Sequence, residues 1–173
     1  MSVDPDQDWV DPVAARALAK QVAYDRLATG PRSRADLAQA MAKKKVPDDV
    51  AAEVLDKLED TGLVDDAEFA RSWISGRQRG KGLASRALAM ELRRKGVDDE
   101  IVREAIDEID PDVERQAAHQ MVQRKLRSVA GLAPDVQTRR LVGMLARKGY
   151  SPGLAFDVVR TELNAEAPPL ESM

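Results

Sequence analysis

Apolar residues along this chain recur at intervals of three and four rather than two. Leu37, Ala40 and Met41 show the spacing, and so do Val50, Val54, Leu55 and Leu58. That period puts them on one face of a helix, and no stretch shows the alternation of a half-buried strand. Breakers interrupt the pattern at Gly30-Pro31, Pro47, Gly62, the stretch from Gly76 to Gly82, Gly96, Pro111, Gly131 to Pro134, and Gly149 with Pro152. They divide the chain into helices predicted at 13–29, 33–45, 48–61, 66–78, 83–95, 98–109, 112–130, 135–148 and 151–163. Ser33, and Asp65 or Asp66, stand where a side-chain oxygen would cap a helix start.

The segments align with one another. Leu37, Met41, Lys44, Val46, Val50, Val54, Leu55 and Leu58 form one series. It returns as Leu88, Leu92, Lys95, Val97, Ile101, Ala105, Ile106 and Ile109, and again as Leu141, Leu145, Lys148, Tyr150, Leu154, Val158 and Val159. Gly96 recurs as Gly149 at a point that suits a left-handed helix stop, where the first copy has Lys45. Lys45 therefore carries a small strain cost or ends its helix differently. The expected fold is all-α: three tandem three-helix repeats, at 13–62, 63–110 and 111–163, packed into an elongated, curved rod. Residues 1–12 and 164–173, rich in Pro and acid, are expected to be disordered.

Composition narrows the chemistry. Two Phe, two Tyr and two Trp among 173 residues imply an aliphatic core suited to helix packing. With no Cys there are neither disulfides nor thiolate metal sites. Met1 to Asp11 is acidic and has no apolar core, unlike a secretory signal. No apolar run approaches the roughly 20 residues of a membrane span, and the expectation is a cytoplasmic protein.

Catalytic constellations are wanting. Gly76-Arg77-Gln78-Arg79-Gly80-Lys81-Gly82 resembles a phosphate loop only loosely. Its first glycine interval is one residue short, Gly82 stands where a metal-binding hydroxyl is needed, and a helix precedes it instead of a strand. His119 is the only histidine and has no triad partner. Asp48/Asp49 and Asp98/Asp99 fall at helix starts, where the helix dipole explains them. Phe69, Trp73 and Ile74 read as a core stripe. No catalytic residue, metal or cofactor is expected.

Charge is the informative feature. The net charge is -3, but residues 13–160 alone carry +4. From Phe69 to Lys95 the cations Arg71, Arg77, Arg79, Lys81, Arg86, Arg93, Arg94 and Lys95 face Glu91 alone. From Met121 to Lys148 the cations Arg124, Lys125, Arg127, Arg139, Arg140, Arg147 and Lys148 face Asp135 alone. Asp98 to Glu114 is acidic save for Arg103. Such segregation suits an acidic partner surface or a phosphate backbone, although solvated helix faces with weak ion pairs would give the same composition. The glycine-bracketed Arg77, Arg79 and Lys81 are expected on a flexible basic loop, which serves little purpose in packing.

Asp65-Asp66-Ala67-Glu68-Phe69-Ala70-Arg71, Gly80-Lys81-Gly82 and Ala89-Met90-Glu91-Leu92-Arg93-Arg94-Lys95-Gly96-Val97, with Gly62-Leu63-Val64 upstream, resemble the signature of the RecX family of recombinase regulators. The resemblance spans residues 14 to 163. It departs from the family pattern at Lys45 and where Leu145-Ala146 precedes Arg147-Lys148-Gly149-Tyr150. It implies a monomeric, non-enzymatic protein that lies in the groove of the RecA–DNA filament and inhibits ATP hydrolysis and strand exchange. Some members also bind single- or double-stranded DNA. Arg77, Arg79, Lys81, Arg86, Arg93, Arg94, Lys95, Arg124, Lys125, Arg127, Arg139, Arg140, Arg147 and Lys148 are the expected partner-binding residues. The alternatives are an autonomous DNA-binding helical module and a helical scaffold for an unrelated partner.

Overall fold

A computed structural model describes residues 11–166; Pro12 and residues 164–166, expected to be disordered, belong to helices instead, and the rest of the two expected disordered stretches apart from Asp11 lies outside the described residues. Among the described residues all regular structure is helical: α1 (Pro12–Ala28), α2 (Arg34–Lys43), α3 (Asp48–Asp60), α4 (Asp66–Lys81), α5 (Ser85–Arg94), α6 (Asp99–Asp107), α7 (Pro111–Val129), α8 (Pro134–Arg147) and α9 (Pro152–Glu166). Asp11 caps α1, its carboxylate accepting from the Val13 N–H at 2.9 Å. Asp65 and Ser33 cap the next repeat-bearing helices as the sequence suggests, accepting from the N–H groups of Glu68 and Asp36, each at 3.1 Å.

The chain forms two compact units, and the central three-helix segment is divided between them. The first holds residues through Trp73 together with Leu92–Val102; the second holds Ile74–Glu91 and the chain from Arg103 onward. In the first, α1, α2 and α3 pack on one another around Leu37, Met41, Val54 and Leu55. Ala15, Ala19 and Ala23, spaced four apart and fully buried, let α1 approach its neighbours closely. In the second, α7, α8 and α9 enclose Val122, Leu141, Leu145, Val158 and Val159. Almost every apolar position in the three aligned series is buried, with Ile101, Ile106, Ile109 and Leu154 partly so.

Each second helix of the three ends in the same way. Lys45, Gly96 and Gly149 all adopt positive φ, at 58°, 74° and 93°. The following N–H then reaches back to close the turn: Val46 to the Met41 carbonyl at 3.1 Å, Val97 to Leu92 at 3.1 Å, and Tyr150 to Leu145 at 3.2 Å. Lys45 thus takes the strained alternative and keeps the left-handed turn. Sterics account for the glycines elsewhere. A Cβ on Gly96 would lie 2.4 Å from the Cβ of Ala35, and one on Gly149 would lie 2.5 Å from the backbone nitrogen of Ala87. Lys45 is exposed.

These close approaches belong to a joint that is built twice. In the first unit the Ser33 hydroxyl donates to the Lys95 carbonyl at 2.8 Å, and Asp66 accepts from the Arg34 N–H at 2.8 Å. In the second, the Ala84 N–H donates to the Lys148 carbonyl at 2.8 Å, and Glu114 accepts from the Ser85 N–H at 3.1 Å. Residues 33 and 34 are the register equivalents of 84 and 85, as Lys95 is of Lys148. At both joints a carboxylate from a following helix satisfies the open start of a preceding one. Asp66 carries a cost for this, since burial raises its carboxyl pKa despite the Arg34 hydrogen bond.

One expectation is corrected. The glycine-bracketed basic segment is not a flexible loop: α4 runs unbroken through Gly76 and Gly80 to Lys81. A Cβ at either glycine would meet nothing within 4 Å, so their small size answers no packing demand. Helix there costs about 1 kcal/mol per glycine relative to alanine. Buried Ile74 and an ion pair from Arg77 to Glu91 hold that part of the helix in place, and Gly82, at φ 62°, ends it.

Candidate functional site

The end of α4 and the middle of α7 carry cations because neither segment there faces the core. On α7, Ala118, Val122, Leu126 and Val129 form the buried stripe, which turns Arg124 and Lys125 outward. Arg79 and Lys81 occupy the exposed last turn of α4. The Lys148 ammonium, just past α8, donates to the Lys81 carbonyl at 3.1 Å and ties the two segments together. Arg79, Lys81, Arg124, Lys125 and Lys148 consequently line one open groove of about 650 Å³ with no carboxylate among its walls. Met121 and Met144 supply an adaptable apolar floor.

The groove's back wall is rigid. The buried Tyr150 hydroxyl donates to the Gly82 carbonyl at 3.2 Å and approaches the Met121 sulfur at 3.7 Å. Burial, reinforced by the negative charge of Glu114, pushes the phenol pKa up to about 12. The link between α4 and α5 is therefore fixed by a neutral phenol, and the cations beside it project from ordered backbone. Five like charges held together in this way attract polyanions strongly at low salt.

Other predicted residues lie elsewhere. Arg77 turns to Glu91, Nε to Oε2 at 3.0 Å, and serves the fold. Arg93 pairs with Asp99 at 2.8 Å. Lys95 lies 5.3 Å from the centre of the Trp73 ring and 3.7 Å from Asp36. Arg94, Arg127, Arg139, Arg140 and Arg147 are exposed and outside the groove. Arg86 lines a separate cleft with Glu114 and Arg115. His119 sits half-buried against Glu162 at 2.6 Å. Among the described residues no group of three or more His, Cys, Asp or Glu could hold a metal ion, and no helix is long and apolar enough to cross a membrane.

Arg26, Arg32 and Lys43 went unnoticed in the sequence. They gather around a smaller cavity in the first unit with Lys95. Their separation along the chain gives no charge run, and only the packing of α1 on α2 brings them together.

Among the described residues, nine helices in three sets of three, jointed by left-handed turns, define an all-α helical-repeat protein. Models of the first, second and third three-helix domains of RecX match residues 19–58, 65–106 and 112–159. The chain belongs to the RecX family of regulatory proteins. It is 47% identical over 150 residues to the regulatory protein RecX of Thermobifida fusca, an alignment covering 87% of this chain and 81% of that one. It is 44% identical over 171 residues to that of Streptomyces coelicolor, covering 98% and 87%. The crystal structure of RecX from Lactobacillus salivarius shares the fold at a TM-score of 0.82 and 18% identity, over 88% of this chain and 99% of that one.

Proposed function

We propose that this protein binds the RecA nucleoprotein filament in its groove and inhibits RecA ATP hydrolysis and strand exchange, without being an enzyme. The observation that carries this reading is the groove lined by Arg79, Lys81, Arg124, Lys125 and Lys148, which has no compensating acid. Membership of a family of regulatory proteins supplies the setting. A filament offers the same surface at each protomer, and a repeat protein can meet it with several weak contacts that act together. The acidic α6 and the start of α7 disfavour uniform wrapping on naked DNA.

The test is cosedimentation with RecA assembled on single-stranded DNA, set against DNA alone, together with RecA ATPase inhibition. The protein is expected to pellet with the filament and to slow hydrolysis. Replacing Arg79, Lys81 and Arg124 by Ala should weaken inhibition by about 10- to 100-fold, at roughly 0.5–1 kcal/mol per exposed charged contact. Full inhibition by the folded triple variant would remove the groove from the mechanism. Tight binding to naked DNA with no preference for the filament would instead favour an autonomous DNA-binding module.

A further inference from the structure

The first unit contains a second cationic cavity, smaller and differently built from the groove. Its walls come from the end of α1 (Arg26), the α1–α2 link (Arg32), one face of α2 (Asp36, Gln39, Lys43) and Lys95, and its volume is about 150 Å³. Leu37 and Ala40, both buried, close its floor. Four cations surround one carboxylate. That carboxylate is engaged only loosely, the Lys95 ammonium standing 3.7 Å from Asp36.

Several of these groups are already held in place. Arg32 donates from Nε to the Arg26 carbonyl at 3.4 Å and from Nη2 to the Thr29 hydroxyl at 2.8 Å, and Thr29 in turn donates to the Arg26 carbonyl at 2.8 Å. This fixes the plane of the guanidinium at the end of α1 while leaving donors of its fork unused. Lys95 is braced by the Trp73 ring at 5.3 Å, and its carbonyl by the fully buried Ser33 hydroxyl at 2.8 Å. A planar fork beside two ammonium groups and an amide, over a small apolar floor, matches one tetrahedral oxyanion. A whole nucleotide is too large for the space.

The internal repeat supplies a separate argument. Lys95 and Lys148 occupy the same register position, one residue before the left-handed glycine, and each lines the cationic cavity of its own unit. Both joints thus present a lysine whose backbone is fixed by the preceding repeat.

We propose that Arg26, Arg32, Lys43 and Lys95 form a binding site for a single phosphate group of a nucleic-acid backbone. The site is distinct from the groove and does not depend on its partner. Phosphate recurs along such a backbone, as cationic cavities recur along this chain.

Two measurements on the full-length protein test the site. In the first, binding of a single-stranded oligonucleotide of about 30 nucleotides is followed against salt for the protein and for R26A/R32A/K43A. Loss of this one phosphate contact should lower the slope of log K against log salt by about 0.7 and weaken binding at low salt by at least about tenfold. K43E, a change at an exposed position, should weaken binding in the same direction if the triple variant folds poorly. In the second, the Arg32 Nε–Hε NMR resonance is followed during titration with the oligonucleotide and, separately, with inorganic phosphate. A shift with the oligonucleotide at lower concentration than with phosphate supports the proposal. A shift with inorganic phosphate alone identifies a free-phosphate site and overturns the nucleic-acid source. An unmoved resonance, an unchanged slope in the folded variants, or no oligonucleotide binding overturns the site. R79A/K81A/R124A serves as the control, because it should weaken RecA inhibition while the Arg32 response is retained. Failure of the groove and failure of this site are thereby separable.

Discussion

Gly149→Ala tests the joint of the second unit most directly. The substitution places a Cβ at φ 93°, 2.5 Å from the Ala87 nitrogen, 2.6 Å from its Cβ and 3.1 Å from the Ala84 carbonyl oxygen. The left-handed conformation costs alanine about 1–2 kcal/mol. The contact cannot be relieved by turning a flexible side chain, since backbone atoms lie closest. The turn must move away from α5, which breaks or stretches the 2.8 Å bond from the Ala84 N–H to the Lys148 carbonyl, worth about 1 kcal/mol or more if its ends stay buried. The expected loss is about 3–4 kcal/mol. Gly62→Ala is the control: its φ is 77°, and an added Cβ meets nothing within 4 Å. It should cost only the conformational term, about 1–2 kcal/mol. Both changes reduce unfolded-chain freedom alike, so that contribution cancels in the comparison. Urea unfolding followed by far-UV circular dichroism measures both. A difference below about 0.5 kcal/mol would refute the claim that close packing, and not φ alone, demands glycine at 149. Lys45→Gly should be neutral to about 1 kcal/mol stabilising, because it relieves φ 58° without altering any joint.

Three further outcomes follow from named contacts. Tyr150 ionises near 12 when folded and near 10 when unfolded, so its contribution is complete below pH 10 and is lost as pH rises through 12, a loss of up to roughly 3 kcal/mol. Tyr150→Phe should flatten that part of an alkaline stability profile, and an unchanged profile would show the phenol to be solvated. Ser33→Ala removes both the cap of α2 and the bond to the Lys95 carbonyl, and should cost about 2 kcal/mol in chemical denaturation. Arg77→Ala should cost about 0.5–1 kcal/mol of stability and leave RecA ATPase inhibition intact, since Arg77 is paired with Glu91; lost inhibition in a folded variant would return Arg77 to the site.

The sequence by itself determined the helices, their threefold register and the turn that ends each second helix. These rest on short-range rules: a 3.6-residue apolar period, side-chain caps such as Ser33, and glycine at left-handed positions. Even Lys45 was legible as the odd member, because register alone exposes a missing glycine. The family signature in residues 65–97 was legible for the same reason. Tertiary structure decided which charges act together. Arg77 and Arg79 stand two residues apart on one helix, so they point to different sides; the first meets Glu91 and the second joins Lys148, 69 positions away. Arg26, Arg32, Lys43 and Lys95 form no run, yet α1, α2 and the turn after α5 collect them around one cavity. Tertiary packing likewise carried α4 through two glycines that local propensity marks as breakers. Helix identity is set by neighbours three and four residues apart. Whether a cation is paired or open depends on what long-range packing brings beside it, and periodicity does not encode that.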